Sequence, residues 1–190
     1  KVSYVRNDDY WREGYPYLDA LEIIIVEDPS TAAAMLEAGQ ADYWLASPPL
    51  EHSRLVDMGF QDWRSDWGMV YVVMTDSADP TSPFADKRVR EALEYAIDRE
   101  KVALMVGHGT AVGLTQLAPP YEIGYDPNWN PRPYNPEKAK QLLADAGYPN
   151  GFETTMVTQS VSMSRDMATA IQGYLDAIGI RSEERRVGKE

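Results

Sequence analysis

Residues Ser82 to Gly109 read SPFADKRVREALEYAIDREKVALMVGHG, and this stretch decides how the chain is organised. Asp86 can cap a helix, because its carboxylate can accept a hydrogen bond from a free amide of the first turn. Asp98 repeats that pattern before a second short helix, which we expect to end at Gly107 in the left-handed conformation. The apolar residues recur at helical spacing: Val89, Leu93, Ala96 and Ile97. The stretch therefore predicts two helices joined by a tight corner.

The same stretch resembles the signature of a known family. Extracellular solute-binding proteins of family 5, the peptide and nickel type that serve ABC importers, carry a phrase of the form PF-D-RVR-AL-YAID. The residues that match it here are Pro83, Phe84, Asp86, Arg88, Val89, Arg90, Ala92, Leu93, Tyr95, Ala96, Ile97 and Asp98. Most of them are expected in the core or in ion pairs, so the signature identifies the family without marking a ligand site.

Two further phrases are similar to the same family. An N-DYW-G phrase lies near the start of the chain, and the phrase YNPEKAKQLLADAGYPNG occupies residues 134–151. The residues that match are Asn7, Asp9, Tyr10, Trp11, Gly14, Lys138, Ala139, Leu142, Leu143, Ala146, Gly147, Tyr148 and Gly151. The resemblance therefore covers nearly all of residues 1–180.

This resemblance implies an α/β fold class: part of a two-lobed periplasmic-binding-protein-like fold of type II, cluster C. Residues 1–77 would form the second half of lobe I, residues 78–85 the crossing between the lobes, and residues 86–180 the beginning of the other large lobe. Residues 181–190, RSEERRVGKE, turn abruptly charged where the family continues in a hydrophobic strand. We therefore expect a non-native or disordered tail there. The resemblance also implies that the chain is an internal fragment of a longer protein.

Local patterns place other elements around the signature. Leu18–Val26 is apolar and β-branched, as in a buried strand, and Pro29 begins an alanine-rich helix. With a second strand at Ala41–Ala46, these elements would form a right-handed crossover. Met69–Thr75 is the most strand-like run of the chain. The remaining expectations are a helix at His52–Met58, an irregular loop at Thr110–Pro133, a helix within residues 134–148, a strand at Phe152–Thr158 and a helix at Ser162–Ile178.

Composition narrows the possible functions. The net charge of −12, without a basic cluster outside the last ten residues, argues against nucleic acid and anionic membrane as partners. The absence of cysteine excludes disulfides and thiolate metal sites. His52 and His108 lie far apart and form no metal-binding pattern, and glycine-rich Gly107–Gly113 follows a helix, which favours a flexible turn over a phosphate loop. We expect no cofactor and no metal.

The function that the resemblance implies is non-enzymatic solute capture for an ABC importer. The leading ligand class is an oligopeptide or a similar small solute, delivered to the permease transmembrane subunits. Such a protein would be a monomer, either periplasmic or, in a Gram-positive source, extracellular and lipid-anchored. Alternatives within the class are an oligosaccharide and a nickel chelate. An alternative from another class is a hydrolase of unknown type, since no motif excludes a pair of catalytic carboxylates.

Candidate ligand-binding residues follow from where open α/β lobes bind their ligands, outside the carboxyl ends of strands. Aromatic rings there supply rigid stacking area, while hydroxyl and amide groups orient the solute. One pair follows the predicted strand Ala41–Ala46, a second flanks the strand Met69–Thr75, and a third lies in the long loop. The six candidates are Ser47, Pro48, Trp67, Tyr71, Thr115 and Gln116.

Overall fold

The chain is seen as a computed structural model that describes residues 1–45, 47–63, 72–159 and 162–187. It divides into two compact units, Lys1–Gly59 and Phe60–Glu190. The helices and strands of the described residues, in chain order, are β1 (Val2–Val5), β2 (Ala20–Ile23), α1 (Pro29–Glu37), α2 (Pro49–Asp57), a 3-10 turn (Pro83–Ala85), α3 (Lys87–Ala96), α4 (Arg99–Gly107), α5 (Pro136–Asp145), β3 (Phe152–Gln159), α6 (Ser162–Asp176) and β4 (Ile180–Val187).

The first unit combines a β-ribbon with two helices. β1 and β2 pair antiparallel, from Val2 opposite Ile23 to Val5 opposite Ala20. α1 begins after Asp28, whose carboxylate accepts hydrogen bonds from the backbone amide and the hydroxyl of Thr31, each at 2.7 Å. These bonds lower the pKa of Asp28. The proline-initiated helix predicted here is confirmed.

The strands predicted from the sequence form only in part. The run Leu18–Val26 is a strand over the four residues of β2, and it is exposed instead of buried; Ile25, for example, is 74% exposed. The strand predicted at Ala41–Ala46 is absent from residues 41–45, and residues 72–75 are not a strand either. A strand needs a neighbour for its backbone hydrogen bonds. In the described residues β2 pairs with β1, and the expected strand-helix-strand crossover does not form.

The second unit has the larger core, built around the signature helix. α3 turns its apolar face to α5 and α6, and α6 lies on β3 and β4. The buried residues of this cluster are Val89, Ala92, Leu93, Ala96, Ala139, Leu143, Ile171, Leu175, Ile178 and Ile180. The helical spacing read from the sequence therefore identified the buried face of α3 correctly, with Ile97 partly buried at its edge.

The two signature helices are capped as predicted at their starts. Asp86 accepts from the Arg88 amide at 2.8 Å, and Asp98 accepts from the Lys101 amide at 3.1 Å. The expected end of α4 is wrong by one residue, since His108 takes the left-handed conformation with φ of 45°. Gly107 is instead the last helical residue, and a side chain there would overlap the Cβ of Ala111. Gly107 is therefore needed because of its close approach to Ala111, whereas the left-handed turn that ends the helix is made by His108.

The Asp86 cap predicts a pH dependence of stability. Its hydrogen bonds to the side chain and then the amide of Arg88 lower the pKa of Asp86 to about 2 from an ordinary 3.8. The lowered pKa means that its contribution to folding is complete above pH 3.8 and is lost as pH falls through about 2. We expect Asp86→Asn, which keeps a capping oxygen, to melt lower than wild type at pH 6 and equal to it near pH 2. Thermal melts at both pH values measure this; a gap that persists at pH 2 would contradict it.

The second unit ends in a β-α-β arrangement. β3 and β4 pair in parallel, from Phe152 opposite Ile180 to Gln159 opposite Val187, and α6 connects them. Residues 181–187 thus lie in a paired strand, in contrast to the disordered tail expected at 181–190. Ser182 occupies an inward position of this strand, and its buried hydroxyl has no hydrogen-bond partner among the described residues. A non-native origin of the tail and the four domain ranges stay predictions.

Candidate functional site

In the first unit, Ser47 and Pro48 lie directly before α2. Pro48 precedes the first helical residue, and its carbonyl accepts from the His52 amide at 2.9 Å. The Ser47 hydroxyl lies 3.3 Å from Nδ1 of His52, within hydrogen-bonding distance. This contact ties the hydroxyl to the first turn of α2. The assignment of Ser47 and Pro48 to a ligand site stays a prediction from the sequence.

α2 is held against α1 by an ion-pair bridge. The Arg54 guanidinium contacts Glu51 on its own helix at 3.0 Å and Glu37 on α1 at 2.7 Å. The hydrogen bond to Glu51, and then that to Glu37, raises the pKa of Arg54. Ala33 of α1 and Leu55 of α2 are both buried. The turn with Ser47 is thus attached to a braced helix pair.

The aromatic candidates Trp67 and Tyr71 lie outside the described residues. The described residues on either side, Trp63 and Val72, are both exposed. The assignment of Trp67 and Tyr71 to a ligand site therefore stays a prediction from the sequence.

In the second unit, Thr115 and Gln116 lie in the long irregular loop that the prolines predicted. Thr115 is exposed, and Gln116 is half-buried. The Gln116 side chain donates from Nε2 to the Asp126 carbonyl at 3.1 Å, and its Oε1 accepts from the Asp126 amide at 3.0 Å. Thr115 is therefore exposed as a residue, whereas the Gln116 amide has a partner within the loop.

The end of this loop is attached to the signature helix by a contact that sequence reasoning missed. Arg132 donates to Glu94 at 2.8 Å and to Glu91 at 2.9 Å, and Glu94 first, with Glu91, raises the pKa of Arg132. Arg99 donates to the Arg132 carbonyl at 3.3 Å. The partners are 33 to 41 residues apart along the chain. In the sequence, this contact is indicated only by Arg132 between two prolines and by Glu91 and Glu94 on the polar side of the signature helix.

The signature arginines serve structure within the second unit. Arg88 contacts the Asp86 carboxylate and the Asp145 carbonyl at the end of α5. Arg90 donates to the carbonyls of Phe84 and Ala85 at 2.7 and 2.9 Å, which fixes the 3-10 turn before α3. That the signature does not mark a ligand site stays a prediction from the sequence.

Two features are absent from the described residues: a cluster of metal-binding side chains and a helix that could span a membrane. No group of three or more histidine, cysteine, aspartate or glutamate residues among them could hold a metal ion. Within the same residues, no helix combines the length and the apolar character needed to cross a membrane.

Comparison with known proteins identifies the family. The model of the bacterial extracellular solute-binding proteins, family 5 middle, matches residues 1–190. The chain belongs to this family, in agreement with the resemblance read from the signature. Its members are extracellular binding proteins by description.

Curated relatives support the same assignment. The glutathione-binding protein GsiB of Escherichia coli is 34% identical over 176 residues, which are 92% of this chain and 34% of that protein. The chain thus spans about a third of the length of the curated relatives it matches.

Solved structures confirm the fold class. The periplasmic binding protein DppA of Helicobacter pylori, in complex with the peptide STSA, is 28% identical with a TM-score of 0.76, over 97% of this chain and 36% of that chain. The dipeptide-binding protein of Pseudoalteromonas sp. SM9913, in complex with Met-Leu, is 26% identical with a TM-score of 0.76, over 97% of this chain and 37% of that one. The chain is therefore part of a periplasmic-binding-protein fold of α/β class.

Proposed function

We propose that this chain is part of the solute-binding component of an ABC importer that captures peptides, or a similar small solute, outside the cytoplasmic membrane. The observation that carries the proposal is the family match over residues 1–190. The glutathione-binding relative and the two peptide complexes favour a peptide ligand, since glutathione is itself a small peptide. The protein would release its solute to the permease transmembrane subunits and act as a monomer.

Binding without turnover is part of the same proposal. A solute-binding protein needs hydrogen bonds and stacking surfaces, and each unit has its own candidates for them: Ser47 in the first unit, and Thr115, Trp67 and Tyr71 in the second. Pro48 would shape the backbone beside Ser47. The relatives named above are binding proteins by name, which supports a non-enzymatic role. The proposed location is periplasmic or, in a Gram-positive source, extracellular with a lipid anchor; the family description as extracellular binding proteins supports it.

The proposal is tested by titration calorimetry on the full-length protein that contains this chain. Reduced glutathione, the dipeptide Met-Leu and the peptide STSA serve as probes, and mass spectrometry identifies any solute that co-purifies. We expect at least one peptide to bind and to be recovered uncleaved. Trp67→Ala and Tyr71→Ala should each weaken binding by about 2 kcal/mol or more, because central aromatic residues dominate such sites.

The matched control is Trp63→Ala, which truncates another tryptophan of the same segment, one that is 80% exposed. It should bind as wild type does, and so should His108→Ala. Melting curves of every variant come first, since a core tryptophan would unfold the protein instead of weakening binding. Wild-type affinity in folded Trp67→Ala and Tyr71→Ala would place the site elsewhere. Hydrolysed probe would favour the hydrolase alternative, and a co-purified sugar or metal chelate would replace the peptide.

A further inference from the structure

The Gln116 side chain makes two hydrogen bonds to the backbone of a single residue, Asp126. Its amide donates to the Asp126 carbonyl and accepts from the Asp126 amide, at 3.1 and 3.0 Å. Such paired bonds fix both the position and the plane of the side-chain amide. They also close the nine intervening residues into a loop, because the segment is held at its beginning and its end.

The closed segment has its own internal order. The Glu122 amide donates to the Pro119 carbonyl at 2.9 Å, and the Tyr125 amide donates to the Glu122 carbonyl at 3.2 Å. The Trp129 amide donates to the Asp126 carbonyl at 3.1 Å, so this carbonyl accepts twice, from the turn and from Gln116. A run of turns thus connects the two ends of the contact, and the segment is ordered without a helix or strand.

A second set of contacts fixes the chain that follows this loop to the signature helix. Arg132 holds Glu91 and Glu94 of α3, and the Asn135 amide donates to the Tyr95 carbonyl at 2.7 Å. The loop is therefore attached to a helix whose opposite face lies in the core. Thr115, the residue directly before Gln116, is exposed.

We infer that Gln116 is a positioning residue, which holds the 116–126 loop in a binding-competent form through Asp126 instead of contacting the solute itself. The inference rests on the proposed solute-binding function. A loop that is already ordered loses little conformational entropy on binding, which raises affinity without a new contact. Loss of the Gln116 contact should make the loop mobile in the solute-free protein. Binding would then have to order the loop, so the affinity should fall.

Native-state hydrogen exchange of the full-length protein without solute tests the contact directly. The Asp126 amide donates to Gln116 Oε1, so its exchange rate reports on this bond. We expect Gln116→Met, which keeps the length of the side chain but not its hydrogen bonds, to speed exchange at Asp126 by about tenfold. Gln116→Glu keeps the acceptor and should give partial protection. Gln141→Met makes the same change at an exposed position of α5 in the same unit, and it should leave the exchange at Asp126 unchanged.

Calorimetry with whichever of reduced glutathione, Met-Leu and STSA binds wild type then tests the consequence. The loss of affinity should follow the gain in exchange, greatest in Gln116→Met, smaller in Gln116→Glu and absent in Gln141→Met. Unchanged Asp126 exchange in Gln116→Met would overturn the inference, and so would faster exchange with wild-type affinity. Lower affinity with unchanged exchange would make Gln116 a direct solute contact. If wild type binds none of the probes, the proposed peptide ligand fails, while the exchange rates still decide whether the contact exists.

Discussion

Gly151→Ala is expected to destabilise the second unit by more than about 4 kcal/mol. Gly151 has φ of 75°, a left-handed conformation that costs other residues about 1–2 kcal/mol. A Cβ at this position would also overlap the carbonyl of Gly179, the residue directly before β4. The overlap is with backbone, so it can be relieved only if the starts of β3 and β4 move apart. Urea unfolding followed by circular dichroism measures the loss.

The matched control is Gly147→Ala, in the same unit. Gly147 also has a left-handed φ, of 96°, but a Cβ there would meet no atom within 4 Å. It should therefore lose only the conformational part, about 1–2 kcal/mol. Equal losses at the two glycines would show that β3 and β4 do not approach each other as described.

Leu93→Ala is expected to cost about 2–5 kcal/mol, the range for a large-to-small change in a packed core. Leu93 is 8% exposed and lies on the face of α3 that contacts the cluster with Leu143 and Ile171. Removing most of its side chain leaves a cavity that the surrounding helices can fill only in part. The free energy of unfolding in urea, compared with wild type, is again the measurement.

Leu104→Ala on the neighbouring helix α4 is the control for that change. Leu104 is 67% exposed, so the same substitution should alter stability by no more than about 0.5 kcal/mol. A small effect at Leu93 and a large one at Leu104 would mean that α3 and α4 present the opposite faces to the core.

Elements determined by local chemistry could be read from the sequence. Asp86 and Asp98 each accept hydrogen bonds from the first turn of the helix that follows, and both were identified as caps. Leu93 was placed in the core because its neighbours at helical spacing are also apolar. The partners of the caps lie within a few residues, so the pattern contains the whole interaction; for Leu93 the pattern indicates burial but not the residues that cover it.

The strand predicted at Phe152–Thr158 is present as β3, but strand pairing and side-chain networks could not be read in the same way. Whether Ala41–Ala46 pairs depends on a neighbour that its own residues do not specify. The contact of Arg132 with Glu91 and Glu94 spans about forty residues, and the contact of Gln116 with Asp126 depends on the turns between them. Gln116 was therefore placed in the correct loop, but its hydrogen-bond partner required the coordinates.

The exposure of β2 has a consequence for handling the chain. Ile23, Ile24 and Ile25 are all exposed, and β2 forms hydrogen bonds to a neighbouring strand on one side only within the described residues. A short apolar, β-branched segment with an open edge is a template for pairing with identical segments from other molecules. Prepared by itself, the chain should accordingly be kept dilute and monitored by light scattering. A lysine in place of Ile25 would be a rational way to suppress aggregation.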